Sequence, residues 1–189
     1  AICGTSATHA LAARVAGLAG IDLPVRPRKR QVYVWECREK LPGFPLLIDA
    51  TGVYARPEGA FYVGGVSPPQ DEDKDCADFE LDDGPFEAVV WPTLAHRVPA
   101  FAAIKLRRSW CGHYDYNTLD QNAILGPHPE VANFYFCNGF SGHGLQQAPA
   151  AGRALAEFIV HGRYRTLDLS RLGFDRIRRN APLKELAVV

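Results

Sequence analysis

The run NFYFCNGFSGHGLQQAPAAGRALAEF, residues 133–158, decides how the chain is read. An aromatic, apolar segment ends at Asn138. Glycines follow at 139, 142 and 144, and a small-residue pattern of helical period takes over. Strand, glycine turn and helix in that order are the units of a nucleotide-binding crossover. Glycines permit positive φ and let backbone approach a flat ligand with no Cβ in the way. The helix is predicted to start at Gly144 or Leu145, with Leu145, Ala148, Gly152, Leu155 and Ile159 as its stripe. Pro149 is expected within the first turn, where its missing donor costs little. Free N–H groups at such a helix start stabilise negative charge. Two readings remain open on these residues: a tight strand-to-helix turn and nothing more, or a turn shaped to receive a cofactor.

Upstream, residues 104–116 alternate, with Ile104, Leu106, Trp110 and Tyr114 on one side and Cys111, His113 and Asp115 on the other, which predicts one long strand crossing between two domains. Asp83 and Pro85 are expected to open a helix bearing Phe86, Val89 and Val90, split or kinked at Pro92. The stretch QDEDKDCADFELDDG carries eight acids between positions 71 and 83. It lacks the ligand spacing of a calcium loop and is expected to be a solvated loop. PLLIDAT (45–51), VYAR (53–56) and AFYVGG (60–65) predict short antiparallel strands. QVYVWEC (31–37) predicts another, preceded by a solvated basic run in IDLPVRPRKR. Residues 6–18 are predicted helical, capped by Thr5 or Ser6, stopped by Gly20, with Leu11, Val15 and Leu18 on one face.

A chain of 189 residues, 47% hydrophobic, can bury about 70% of its unfolded surface. Twenty-one basic residues balance twenty-one acidic ones, which argues against a nucleic-acid partner and favours a small or uncharged one. No apolar run approaches the roughly 20 residues of a membrane span. The five cysteines lack CxxC spacing, arguing against a disulfide framework or zinc knuckle and for a reducing compartment. The absence of methionine predicts a fragment or a processed product. His96, His128 and His161 lack metal-ligand spacing, so no metal is expected. Ser141 is not framed by the GxSxG elbow of a hydrolase.

GFSGHGLQQAP followed by GRALAE resembles the flavin-contacting C-terminal motif of the D-amino-acid oxidase superfamily, and NTLDQNAILGPHP (117–129) resembles the motif just before it. Residues 1–20, with Cys3 and Gly4 before the helix, resemble the last piece of that family's FAD domain. The resemblance implies an α/β (α+β) fold: a partial FAD-binding domain of the D-amino-acid oxidase and glutathione reductase type plus a mostly antiparallel substrate domain. The implied boundaries are 1–30 for the end of the FAD domain, 31–115 for the substrate or cap domain, 116–165 for the return to the FAD domain and 166–189 for a C-terminal tail. It further implies FAD contacts from Cys3, Gly4, Asp120, Gly126, Gly139, Ser141, Gly142, His143, Gly144, Leu145 and Gln146, with the turn's donors stabilising a reduced, anionic flavin.

Sarcosine oxidases attach flavin through a cysteine upstream of the NTLD-like motif. This chain offers His113 and Tyr114 there, with Cys111 out of register, so FAD is expected to be non-covalent. Gln146 stands where those oxidases place a lysine, and about Tyr114 where glycine oxidase places a carboxylate-binding arginine. Arg56, next to Tyr54, remains for that task. Tyr54, Arg56, His113, Tyr114 and Gln146 are therefore the catalytic candidates. VYVWEC, DATGVYARPEG, VWPTLAHRVPAF and YDYNTLDQN carry a narrower resemblance, to a mitochondrial branch of the family linked to assembly of respiratory complex I. It implies C–N bond oxidation by hydride transfer to flavin or, alternatively, a non-catalytic flavoprotein scaffold. The implied location is the mitochondrial matrix or the matrix face of the inner membrane, with the cytoplasm as the alternative. Implied partners are an N-terminal half carrying the dinucleotide motif and complex I subunits or assembly factors.

Overall fold

The computed structural model describes residues 2–3 and 11–186. In chain order the elements are β1 Ile2–Cys3, α1 Ala12–Gly17, β2 Val25–Cys37, β3 Leu47–Ile48, β4 Tyr54–Glu58, β5 Phe61–Gly65, α2 Trp91–Arg97, β6 Ile104–Asn117, β7 Ile124–Pro127, β8 Tyr135–Asn138, α3 Gly144–His161 and α4 Asp175–Arg178. The chain divides into two compact units. The first holds residues up to Arg28, Asp75–Ala77 and the chain from His113 onward, and the second holds Lys29–Lys74 and Asp78–Gly112. Strands β2 and β6 each run from one unit into the other along the chain.

In the first unit β1 pairs in parallel with β8, and β8 pairs antiparallel with β7. Its core joins Ala12, Ala16, Ile21, Leu23 and Val25 to Ile124, Phe134, Phe136 and Phe174. The faces that the helices bury differ from those that periodicity predicts. Helix α1 buries Ala12 and Ala16 while Leu18 is 90% exposed; α3 buries Ala151 and Ala154 while Leu145 is 90% exposed. Alanine, lacking bulk beyond Cβ, lets a helix lie close to its neighbours, and here that outweighs the larger apolar side chains one position away. Gly20, at φ +72°, ends the α1 segment, with the Ile21 N–H donating to the Ala16 carbonyl. Thr5, Ser6 and the first part of the 6–18 helix lie outside the described residues. Pro149 falls in the second turn of α3, where the donor it lacks would have met the Leu145 carbonyl.

The second unit carries a sheet of order β3-β4-β5-β2-β6, antiparallel from β3 through β2. Its core is aromatic: Tyr33, Trp35, Tyr62, Phe86 and Phe101, with Phe44 packed on it. The Trp35 and Phe101 rings meet edge to face at 6.0 Å, and Tyr62 and Phe101 at 4.9 Å. Pro92 does not split the helical stretch. Residues 86–90 form a π-helical turn that runs directly into α2, and the Trp91 N–H reaches back to the Phe86 carbonyl. The wider turn moves the hydrogen-bond register just where Pro92 has no N–H to give.

The acidic stretch is an exposed loop, as expected, but several of its acids are paired, and the basic run is already strand. In the second unit Arg30 makes a two-pronged pair with Asp73, at 2.8 and 2.7 Å, with both side chains 11% exposed. Lys29 meets Asp78, and the Tyr33 hydroxyl donates to the Asp82 carbonyl. Burial, with Asp83 and Asp82 nearby, pushes the Tyr33 hydroxyl up to about 12. In the first unit Arg28 pairs with Asp75 at 2.9 Å and lies 5.5 Å from the centroid of the Tyr116 ring.

Candidate functional site

The turn from Asn138 to Gly144, in the first unit, is built on buried polar groups. Asp115, on the last part of β6, accepts the Gly139 N–H at 2.6 Å and the Phe140 N–H at 3.3 Å with one carboxylate oxygen. Its backbone carbonyl accepts the Ser141 N–H at 3.3 Å. Ser141 sits at φ +51°, a conformation costly for a residue with a Cβ, and is fully buried. The turn tolerates it because the Ser141 hydroxyl is held from two sides: Oγ accepts the Asn117 N–H at 3.0 Å and donates to the Gly139 carbonyl at 3.3 Å. Asn117 in turn gives its side-chain amide to Asp120 at 2.8 Å and to the Asn122 carbonyl at 2.7 Å, and accepts the Leu119 N–H. Beneath it, Arg176 grips Asp120, with both side chains almost wholly buried.

The front of the turn is open. The donors of Gly139, Phe140 and Ser141 are all taken by Asp115, and that of His143 by the Phe140 carbonyl. Those of Gly142, Gly144, Leu145 and Gln146 have no partner among the described residues. No side chain caps α3. An 18-residue helix thus presents free N–H groups and the positive end of its dipole. Gly142, at φ +103°, lies flush against Tyr114: a Cβ there would stand 2.5 Å from the ring. A flat, electron-rich group that becomes negative on reduction fits this arrangement, so the residues present suit the ring end of FAD.

The other sequence candidates distribute as follows. His113 and Tyr114 are half-buried on β6, and Gln146 and Leu145 are exposed in the first turn of α3. Gly126, at φ +101°, lies under the Tyr164 hydroxyl, which burial and Asp168 hold above its usual range. Cys3 pairs with Phe136 in the parallel ladder, and Gly4 lies outside the described residues. Tyr54 and Arg56 share one face of β4 in the second unit, away from the Ala55 core side. There the Arg56 guanidinium is bound to the Glu58 carboxylate and the Pro57 carbonyl. Gly144 itself has an ordinary helical conformation, and a Cβ there would meet Phe140 at 3.6 Å, normal contact. The close approach belongs to Gly142.

Sequence reading passed over Asp115, Asn117 and Arg176 as site residues. A signal existed for the first two: polar residues two apart at the end of an alternating strand share a face, and here both are buried. Arg176, 56 residues from Asp120, gave none. No group of three or more metal-ligating side chains occurs among the described residues, and no helix there is long and apolar enough to cross a membrane.

A family model described as FAD dependent oxidoreductase matches residues 3–158. FAD-dependent oxidoreductase domain-containing protein 1 of Xenopus laevis is 52% identical over 176 residues, covering 91% of this chain and 35% of that protein. Mitochondrial sarcosine dehydrogenase of Mus musculus is 27% identical over 169 residues, covering 85% of this chain and 18% of that protein. The crystal structure of L-proline dehydrogenase from P. horikoshii superposes with a TM-score of 0.81 at 26% identity, over 91% of this chain and 46% of that one. The chain therefore spans about a third of the length of the first of these relatives.

Proposed function

Because the chain belongs to the family of FAD dependent oxidoreductases, of the D-amino-acid, sarcosine and glycine oxidase type, we propose that it supplies the ring-facing part of a flavin site in a longer amine oxidoreductase, and that it holds FAD non-covalently. The observation that carries this is the turn itself: four free N–H groups at Gly142 and Gly144–Gln146, held by buried Asp115, Ser141 and Asn117. The flavin, when bound, supplies an acceptor for the hydride of a carbon next to nitrogen. The chain's residues position and stabilise. The backbone donors and the α3 dipole lower the energy of negative charge facing them. Gly142 and the half-buried Tyr114 form a flat wall for orienting an amine, and His113, on the opposite face of β6, is the other candidate of that strand. Gln146 at the helix start is the remaining substrate-handling candidate of the first unit, and Tyr54 and Arg56 on β4 are those of the second, with residues 31–115 as the substrate or cap region and 1–30 and 116–165 as the FAD-binding portion.

A second reading has an observation behind it. Arg56, the arginine available for a substrate carboxylate, is already paired with Glu58. That favours either an uncharged amine substrate or a flavoprotein acting as a scaffold. The narrower resemblance supports a mitochondrial matrix location and a part in assembly of respiratory complex I. Anaerobic mixing of the full-length flavoprotein with a panel of secondary amines, tertiary amines and amino acids separates the two. Bleaching of the flavin by one class establishes the oxidoreductase. A stably bound flavin that no amine bleaches leaves the scaffold, and a full-length protein that purifies without flavin and does not take it up removes the proposal.

A further inference from the structure

Arg176 lies beyond residues 3–158, the part matched by the family model, in the stretch that sequence reading treats as a tail. It is nevertheless among the most heavily bonded side chains of the first unit. Nε and one terminal nitrogen reach the two Asp120 oxygens at 2.7 and 3.2 Å. The same terminal nitrogen donates to the Asn122 and Ala123 carbonyls at 2.9 Å each, and the other to the Leu172 and Gly173 carbonyls. The chain after α4 closes over the same spot. The Leu183 N–H donates to the Asp120 carboxylate at 3.0 Å, the Glu185 N–H to the Asp120 carbonyl at 2.9 Å, and the Asn122 side chain to the Leu183 carbonyl.

We infer that Arg176 is a positioning residue for the flavin-facing turn, acting through Asp120, Asn117 and Ser141, and that the segment from Leu172 to Glu185 is part of the site. The inference rests on the proposed reading of that turn. The path consists of buried groups whose bonding capacity is used in sequence: guanidinium to Asp120 carboxylate, carboxylate to Asn117 amide, Asn117 N–H to Ser141 hydroxyl. Ser141 is the residue held in a left-handed conformation, and its hydroxyl is held by the Asn117 N–H, so what fixes Asn117 adds to the hold that Asp115 has on the turn. A carboxylate buried without its cation is costly, and the groups around it rearrange to relieve that cost, so the acceptor that orients Asn117 is no longer fixed in place. The effect of Arg176 arrives by holding the NTLD turn in one arrangement.

The test uses the full-length protein with Arg176→Met, Asp120→Asn, the double variant, Arg176→Lys and, as a control, Arg179→Ala, whose side chain is 77% exposed. FAD affinity, the visible circular dichroism of bound FAD and amide exchange at residues 139–141 are read for each. Arg176→Met is expected to weaken FAD at least tenfold, alter the flavin dichroism and speed exchange in the turn. The double variant should be no weaker than the worse single, because both cut one path. Arg176→Lys should fall between, and Arg179→Ala should match the unmodified protein. A folded Arg176→Met protein with unchanged affinity and dichroism overturns the inference, as do single losses that simply add. If Arg176→Met does not fold, unchanged exchange at 139–141 in Arg176→Lys overturns it. An unmodified protein that holds no FAD removes the reading of the turn as a flavin site, and the exchange comparison alone then decides the network.

Discussion

Of the seven polar or charged residues buried in the described chain, Asp115, Asn117, Asp120, Asn138, Ser141 and Arg176 stand in the first unit and Asp49 alone in the second. The second unit buries rings instead: Tyr33, Trp35, Tyr62, Phe86 and Phe101 fill its centre. Even the Trp35 indole N–H has no acceptor among the described residues, so that side chain contributes volume and area rather than direction. Rings packed edge to face tolerate small shifts, because dispersion is summed over many weak contacts. Hydrogen bonds to a carboxylate do not, because they weaken steeply with angle and leave a costly orphan when broken. A turn that must keep a serine at positive φ and four N–H groups facing outward needs the directional kind of core. The contrast teaches that the two units are specified by different forces, and each can be attacked through its own.

Trp35→Ala should have the largest effect, about 3–5 kcal/mol, by deleting the centre of the aromatic cluster. Trp35→Phe should cost far less, since no bond to the indole N–H is lost. Denaturant unfolding measures both. A large penalty for phenylalanine would show that the second unit also depends on a directional bond and would break the contrast.

Asp115→Asn is the converse experiment. It keeps shape and volume but replaces a carboxylate that accepts the Gly139 and Phe140 N–H groups, so a loss of about 2 kcal/mol is expected. A change within the small range of ordinary surface substitutions would mean that shape, not charge, holds the turn.

Gly142→Ala places a Cβ 2.5 Å from the Tyr114 ring at φ +103°, and about 1–2 kcal/mol of strain should follow, with reduced flavin content in the full-length protein. Gly144→Ala, at helical φ and with normal contact, should be neutral or slightly stabilising. Equal behaviour of the two variants would remove Gly142 as the point of close approach.

The smallest effect concerns pH. Glu157 on α3 accepts the Thr166 hydroxyl and the Arg165 and Thr166 N–H groups, which hold its carboxyl at about 2 instead of 4.5. The folded value lies below the unfolded one, so the stabilisation is present above pH 4.5 and lost as pH falls toward about 2. Carbon NMR of the Glu157 carboxyl should show the low midpoint. An ordinary midpoint would mean that directional bonding in the first unit stops at its buried centre.

Much of the architecture was legible in the residues. Alternation at 104–116 marked β6, glycine and proline punctuation marked the antiparallel sheet, and 133–158 declared strand, turn and helix, because these signals reside in neighbouring positions. The motifs at 117–129 and 139–149 pointed to the family, a matter of residue order alone. What local order could not convey is which helix face meets the sheet. An apolar residue on either side of Ala12 or Ala151 satisfies the same period, and the choice falls to whichever face lets the backbones approach. Nor could it pair the acids at 73 and 75 with Arg30 and Arg28, or bring Arg176 to Asp120, since a charge run reads the same whether water or a distant guanidinium answers it. Such pairings are created when separate parts of the chain meet and bury each other. They decide whether a glycine turn is loose or held in one shape.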